Sequence, residues 1–180
     1  MIYSEPLPNV YILKHPLSKD KRGDFRKSYN IDQFKSVGLI FNPVEIFIST
    51  SKKNVIRGMH FQLGASAQDK LITVLKGRVL DVIVDVRRDS KYYNMPFSIE
   101  LKGDEPYSVF IGKGYAHGFL TLADDTTMQY ATSTVYDKER DCGIHWSSIN
   151  FKWPTNNPIL SERDQCHSPI GHQISSCFDS

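Results

Sequence analysis

Cysteine is scarce in this chain: Cys142, Cys166 and Cys177 are the three among 180 residues, an odd number sharing no metal-ligand spacing. That argues against a disulfide framework, and the three read as free thiols in a reducing compartment. Charge of one sign is scarce too. Lysine and arginine total 22 against 20 acidic residues, a net +2 that is too small to argue for nucleic acid or a membrane surface as partner. No stretch approaches the roughly 18 apolar residues of a membrane span. The N-terminal MIYSEPLPNVYILKHPL carries Glu5, Pro6 and Pro8 where a signal peptide needs an unbroken apolar core, so a cytoplasmic location is expected. With no repeat, low-complexity tract or linker, one domain is expected over residues 1–180, with a loose Ser-rich tail from about residue 168.

What is present is a period of two. Val10 to Leu13 reads as a short strand, and Lys19 to Arg26 as a charged turn around Gly23. Ile31, Phe34 and Val37 recur at helical spacing before Gly38, which predicts one short helix. From residue 39 the alternation predicts strands at 43–50, 54–60, 70–76, 78–87, 97–102, 107–111, 116–122, 127–135 and 143–147. Short strands recurring about every 10 residues between Gly, Pro, Asp, Asn and Ser clusters imply an all-β sandwich or closed barrel. The run RVLDVIVDVR (Arg78 to Arg87) puts Leu80, Val82, Val84 and Val86 on one face. The other face carries Val79, Asp81, Ile83 and Asp85, and two carboxylates there suit a partly polar cavity or a salt-bridged interface.

The chemistry gathers between Asn54 and Leu75, NVIRGMHFQLGASAQDKLITVL, which brings together Arg57, His60 and Lys70. On an extended chain Arg57 and His60 face opposite ways, unless a bulge at Gly58 intervenes. A second histidine, His117, lies in IGKGYAHGFLTL. Taken singly these are a surface arginine and hydrogen-bonded core histidines. Two strand–turn–strand units with one histidine each instead suggest facing positions across a barrel.

The blocks HFQ and GYAHGF resemble those of the cupin superfamily, small jelly-roll barrels with a site inside. More narrowly, KKNVIRGMHFQ, AQDKL, GRVLDVIVDVRRDS, GYAHGF, YATSTVY, GIHW, Trp153-Pro154 and LSERD are similar, in order and spacing, to nucleotide-linked 4-keto-6-deoxyhexose 3- and/or 5-epimerases. That resemblance runs from about residue 10 to about 166. It implies a cupin-type jelly-roll barrel with one or two short helices, and a homodimer in which an N-terminal strand crosses to the partner's site. It also implies a place in deoxysugar and surface-polysaccharide (lipopolysaccharide O-antigen) biosynthesis, and chemistry without cofactor or metal.

By the same resemblance His60 is the base, Asp164 its partner carboxylate, Tyr130 the acid and Lys70 the cation at the keto oxygen. Inverting a carbon beside a ketone requires that set: a base, an acid on the opposite face, and a positive group where enolate charge develops. Arg57 and Arg22 match arginines that hold the diphosphate, Tyr136 an aromatic that stacks on the nucleotide base, and His117 a residue that positions the sugar. Gln62, Glu45 and Phe47 complete the expected substrate contacts. Without the resemblance, Tyr130 and Tyr136, six apart on one predicted strand, serve equally as core, and Asp164 as a turn or cap residue.

Two departures bear on this expectation. Thymine-nucleotide members read Gln-x-Asn-x-Ser before the RGxH block, whereas this chain has Glu45-Ile46-Phe47-Ile48-Ser49. A glutamate accepts but cannot donate, which keeps a CDP or GDP sugar open beside dTDP. The Pro-x-Gly turn of the second motif is Gly112-Lys113-Gly114, a change in a turn and not in the chemistry. Three rivals are a metal-dependent cupin, which wants His-x-His where this chain has His60-Phe61-Gln62, a keto-isomerase on the same scaffold, and a non-catalytic sugar-nucleotide binding module.

Overall fold

Alternating apolar and polar residues can bury only one face of a strand, so the strands must stack sheet upon sheet. The computed structural model describes residues 1–171. In chain order it has strands β1 (Ile2–Leu7), β2 (Val10–Lys14), β3 (Leu17–Asp20) and β4 (Gly23–Arg26), then helix α1 (Ile31–Ser36). Strands β5 (Glu45–Ser51), β6 (Ile56–Gln62), β7 (Lys70–Lys76), β8 (Arg78–Asp85) and β9 (Pro96–Lys102) follow. The chain continues through β10 (Tyr107–Ile111), β11 (Tyr115–Thr121), β12 (Thr126–Thr132), β13 (Asp141–Gly143) and the one-turn helix α2 (Glu162–Gln165).

Two sheets form the body. One is six-stranded in the order β1-β2-β10-β7-β12-β5, the other five-stranded in the order β13-β6-β11-β8-β9. Consecutive strands repeatedly cross between the sheets, β7 to β8 and β11 to β12 among them, which is the wrapping of a cupin-type jelly roll. The strand β8 shows why. Its Val79 and Ile83 join Ile72, Val109, Met128 and Tyr130 in the cluster between the sheets. Its Val82 and Val84 pack outward on a second cluster with Ile144, Ile149 and Trp153. A third cluster seats Phe34 of α1 and Phe41 against Leu71, Phe110 and Ala131 on the outer face of the six-stranded sheet. Helix α1 is capped by Asn30, whose side chain accepts from the Gln33 N–H.

Most predicted strands stand within two residues of their expected bounds, but four expectations need correction. Ile2–Leu7 pairs with β2 and was not anticipated, because Pro6 breaks its pattern. The charged segment at Lys19 to Arg26 belongs to a hairpin of β3 and β4, with Gly23 (φ +125°) opening the second strand instead of forming the turn's centre. The strand expected at 127–135 ends at Thr132, so Tyr136 lies in the following loop and does not share a strand with Tyr130. The one expected at 143–147 is instead β13 at Asp141–Gly143 followed by a single 3-10 turn, Trp146–Ser148. Where the tail was expected to start, the Ser168 carbonyl accepts from the His145 N–H at 2.9 Å and the Ile170 N–H donates to Ser148 Oγ at 2.9 Å. The remainder of the expected tail, with Cys177, lies outside the described residues.

Candidate active site

Strand pairing brings the predicted residues to one cavity. Strand β6 supplies Arg57 and His60, and the register of β6 against β11 slips between the His117–His60 and Phe119–Arg57 pairs. The slip falls at Gly58 (φ +135°), whose missing Cβ would lie 2.5 Å from Gly118 Cα. This is the irregularity that lets Arg57 and His60 both line the cavity, against the alternation of an ordinary strand. His60 and His117 are paired neighbours on β6 and β11 of the five-stranded sheet, side by side and not facing each other across the barrel as expected, because the two strands are hydrogen-bonded partners. Lys70 on β7 and Tyr130 on β12 come from the six-stranded sheet opposite. The space between is about 390 Å³, the size of a small-molecule site.

His60 Nε2 donates to Asp164 Oδ1 at 2.6 Å. A carboxylate only accepts, so the neutral ring carries its proton on Nε2 and its lone pair on Nδ1. Burial lowers the His60 pKa, Asp164 works the other way, and the Arg163 and Lys70 charges add to the lowering. Burial alone would raise the pKa of Asp164, but contacts from His167 and His60 and the Gly58 N–H outweigh it and hold the carboxyl well below the usual carboxylate range. Asp164 is poised by Ser161, whose hydroxyl accepts the Asp164 N–H at 3.1 Å as the cap of α2.

The opposite wall is built differently. Tyr130 is buried, its ring stacked on Phe47 at 4.7 Å and 9°, and its hydroxyl lies 3.2 Å from Ser49 Oγ. Burial pushes its pKa well above 10, so the phenol keeps its proton. Lys70 Nζ donates to the His60 carbonyl at 3.2 Å, tying the two sheets together across the cavity floor. Burial brings its pKa down to about 8, with Asp141 opposing and Arg163 assisting.

Arg57 is exposed at the rim, with Nε donating to Ser51 Oγ at 3.0 Å, which leaves most of its fork for an anion. His117 Nε2 donates to Asp81 Oδ1 at 2.6 Å. Asp81 is thus the group that orients this second imidazole, while Asp85 is salt-bridged to Arg87 at 2.7 Å, so the two carboxylates expected at a polar cavity or a salt-bridged interface divide between those uses.

Two predicted contacts line the cavity with polar atoms engaged in hydrogen bonds to backbone, both ends of the Gln62 amide and one oxygen of Glu45. Gln62 donates to the Ser66 and Val135 carbonyls and accepts from the Asp137 N–H. Glu45 Oε2 accepts the Tyr136 N–H at 2.8 Å. Both therefore brace the loop that presents Tyr136, itself 57% exposed at the cavity mouth. Arg22 is not brought to this cavity within the chain. It sits at the tip of the β3–β4 hairpin, 84% exposed, bonded to Asp20 at 2.6 Å.

Sequence reasoning passed over Arg163, which pairs with Asp141 at 2.7 Å beside the cavity, and His167. A cation next to the expected aspartate in LSERD was the available signal for the first. His167 follows that block at i+3 from Asp164 and carried none. Ligand atoms of His60, Asp164 and His167 lie within 4.8 Å of one another, a set that could hold a metal ion, although a hydrogen bond already joins the first two.

A jelly roll closed around such an interior places the molecule in the class of cupin-type carbohydrate epimerases. Comparison with known proteins makes the assignment narrower. Residues 4–171 match the sequence model of dTDP-4-dehydrorhamnose 3,5-epimerase. The chain is 40% identical to the dTDP-4-dehydrorhamnose 3,5-epimerase of Escherichia coli (strain K12) over 163 residues, 88% of each chain. A crystal structure of the Bacillus anthracis enzyme with TDP and pyrophosphate bound superposes with a TM-score of 0.91 at 33% identity, covering 94% of this chain and 99% of that one. The Legionella pneumophila enzyme in complex with dTDP-4-keto-L-rhamnose gives a TM-score of 0.91 at 28% identity, covering 96% and 94%. The chain belongs to the dTDP-4-dehydrorhamnose 3,5-epimerase family.

Proposed function

We propose that the protein inverts C3 and C5 of a dTDP-linked 4-keto-6-deoxyhexose, with no cofactor. The observation that carries this reading is the placement of His60 and Tyr130 on opposite sheets around one cavity, with Asp164 2.6 Å behind the imidazole. His60 Nδ1 takes the proton from the carbon beside the ketone, and the C–H electron pair moves onto the C4 oxygen. The Lys70 ammonium stabilises the enolate, a charge that exists only after proton removal. Tyr130 then delivers its proton to the other face of the same carbon, and solvent resets both groups. Arg57 holds the diphosphate and Tyr136 stacks on the base at the mouth.

The CDP and GDP alternatives rested on Glu45 as a free acceptor. The Tyr136 N–H takes one of its two oxygens, Oε2, so part of that acceptor capacity goes to the chain itself and Oε1 remains. The dTDP ligands of the structural relatives favour dTDP. An acid on the face opposite the base favours inversion over keto-isomerisation, which can return its proton from one face, and a non-catalytic binding module has no use for that acid. Proton NMR in deuterated water tests the reading: the C3 and C5 signals of the dTDP-4-keto-6-deoxy sugar should disappear and the inverted product accumulate. Exchange at neither carbon, or preferential turnover of the CDP or GDP sugar, would overturn it.

The reading includes a cytoplasmic homodimer serving surface-polysaccharide synthesis. Support comes from the β3–β4 hairpin, which joins neither large sheet and exposes Arg22 and Phe25 (66%). In a dimer Arg22 reaches the partner's diphosphate. Light scattering should return twice the chain mass, and Arg22→Ala should raise KM with little change in kcat; a monomer with a wild-type KM for that variant would contradict both.

A further inference from the structure

We propose that His167 is a positioning residue for the base: its Nε2–H is aimed at Asp164 and keeps that carboxylate from committing wholly to His60. This rests on the reading of His60 as the base. The ring of His167 stands 5.6 Å from that of His60, inclined by 73°, and its Nε2 lies 3.5 Å from Asp164 Oδ1, the same oxygen that accepts from His60. Nε2 is buried and makes no hydrogen bond among the described residues, and Asp164 Oδ1 at 3.5 Å is the carboxylate oxygen it approaches. Its place is made by a glycine, since a Cβ on Gly143 would fall 2.3 Å from that nitrogen. The segment is held from both ends, by α2 before it and by the Ser168 and Ile170 hydrogen bonds after it.

A carboxylate accepts and cannot donate, so a neutral His167 must present its protonated nitrogen to Asp164. Two N–H dipoles then share one oxygen, and the Gly58 N–H approaches the other at 3.4 Å. Each donor takes part of the carboxylate's charge, which weakens its pull on the proton that His60 gains during turnover. The other charged or titratable groups facing this cluster are Lys70 from β7, Arg163 from α2 and its partner Asp141 from β13, with the His117–Asp81 pair beside His60 across β11 and β8. None of these replaces the His167 N–H at Asp164, because the two nearest cations are engaged with the His60 carbonyl and Asp141.

The test compares His167→Asn and His167→Gln in the chelator-treated enzyme, following deuterium exchange against pH. Gln can carry an N–H to where Nε2 stands; Asn is too short. For the Asn variant the acid limb of kcat/KM should move up by about half a pH unit or more, with kcat reduced severalfold and KM unchanged. The Gln variant should restore both. Wild-type limbs in both variants, or equal displacement in both, would overturn the proposal, and so would loss of wild-type activity on chelation, which would make His167 a metal ligand. Failure of the base reading looks different: wild-type enzyme without exchange, or His60→Ala with exchange intact.

Discussion

At the scale of single residues the site divides into groups that change charge and groups that hold them. Lys70 is the most sensitive of the first kind, because burial brings its ammonium down to about 8. In the proposed mechanism the cation is needed, and it is lost as pH rises through that value, so kcat should fall above about pH 8. His60 is needed neutral and its pKa is lowered by burial, so the acid limb should lie below 6.5. Lys70→Met should cost about 10²–10³ in kcat and remove the alkaline limb, as expected for losing one preorganised donor to an enolate. An alkaline limb unchanged in that variant would assign it elsewhere. Tyr130 stays protonated throughout, and Tyr130→Phe should keep solvent exchange while losing inversion; equal loss of both would mean that the phenol only packs. The residues proposed as catalytic were readable as candidates through the resemblance carried by RGxH, AQDKL and LSERD, since taken singly each serves equally well as a core, surface or cap residue. Gln62 and Glu45 were not readable as braces, since residue type does not reveal that a polar side chain is already bonded to backbone.

At the scale of elements, the slip of β6 against β11 does most to build the site. Gly58 and Gly118 let the two strands approach until a single Cβ would meet backbone at 2.5 Å. Gly58→Ala should therefore destabilise the fold by about 2–4 kcal/mol, from positive φ and backbone clash together, and abolish exchange by turning Arg57 or His60 away. Urea unfolding and the NMR assay check the two halves; a stable, active variant would remove the slip from the account. The sequence permitted a bulge at Gly58 but could not require one, because what crowds the glycine is a strand 60 residues away. Tyr136 shows the same limit. Period two carried it onto the strand of Tyr130, whereas the chain leaves the sheet at Thr132, whose hydroxyl donates to the Thr134 carbonyl.

At the scale of the molecule, two sheets face each other with the proposed catalytic groups divided between them, so stability of the barrel and geometry of the site are one property. The all-β architecture was legible in the alternation alone. The partner of each strand was not, since β10 lies between β2 and β7 through contacts distant in the chain. His15 links the whole fold to pH. It is 3% exposed, neither ring nitrogen has a hydrogen-bond partner among the described residues, and burial, with the Arg26 and N-terminal charges, lowers its pKa to about 4. The unfolded chain takes up a proton near pH 6.5 that the native chain refuses, so stability is lost as pH falls from about 6.5 to about 4. Between about pH 7 and pH 5 the loss should be about 1–2 kcal/mol after allowance for solvent screening. Denaturant titration of His15→Leu should show it removed; an equal loss in that variant would place the acid sensitivity in other groups. The central claim, that an imidazole on one sheet removes a substrate proton, is tested most directly by His60→Ala in deuterated water. Folded variant protein should bind the dTDP-4-keto-6-deoxy sugar and leave the C3 and C5 protons in place, whereas exchange at the wild-type rate would contradict the account.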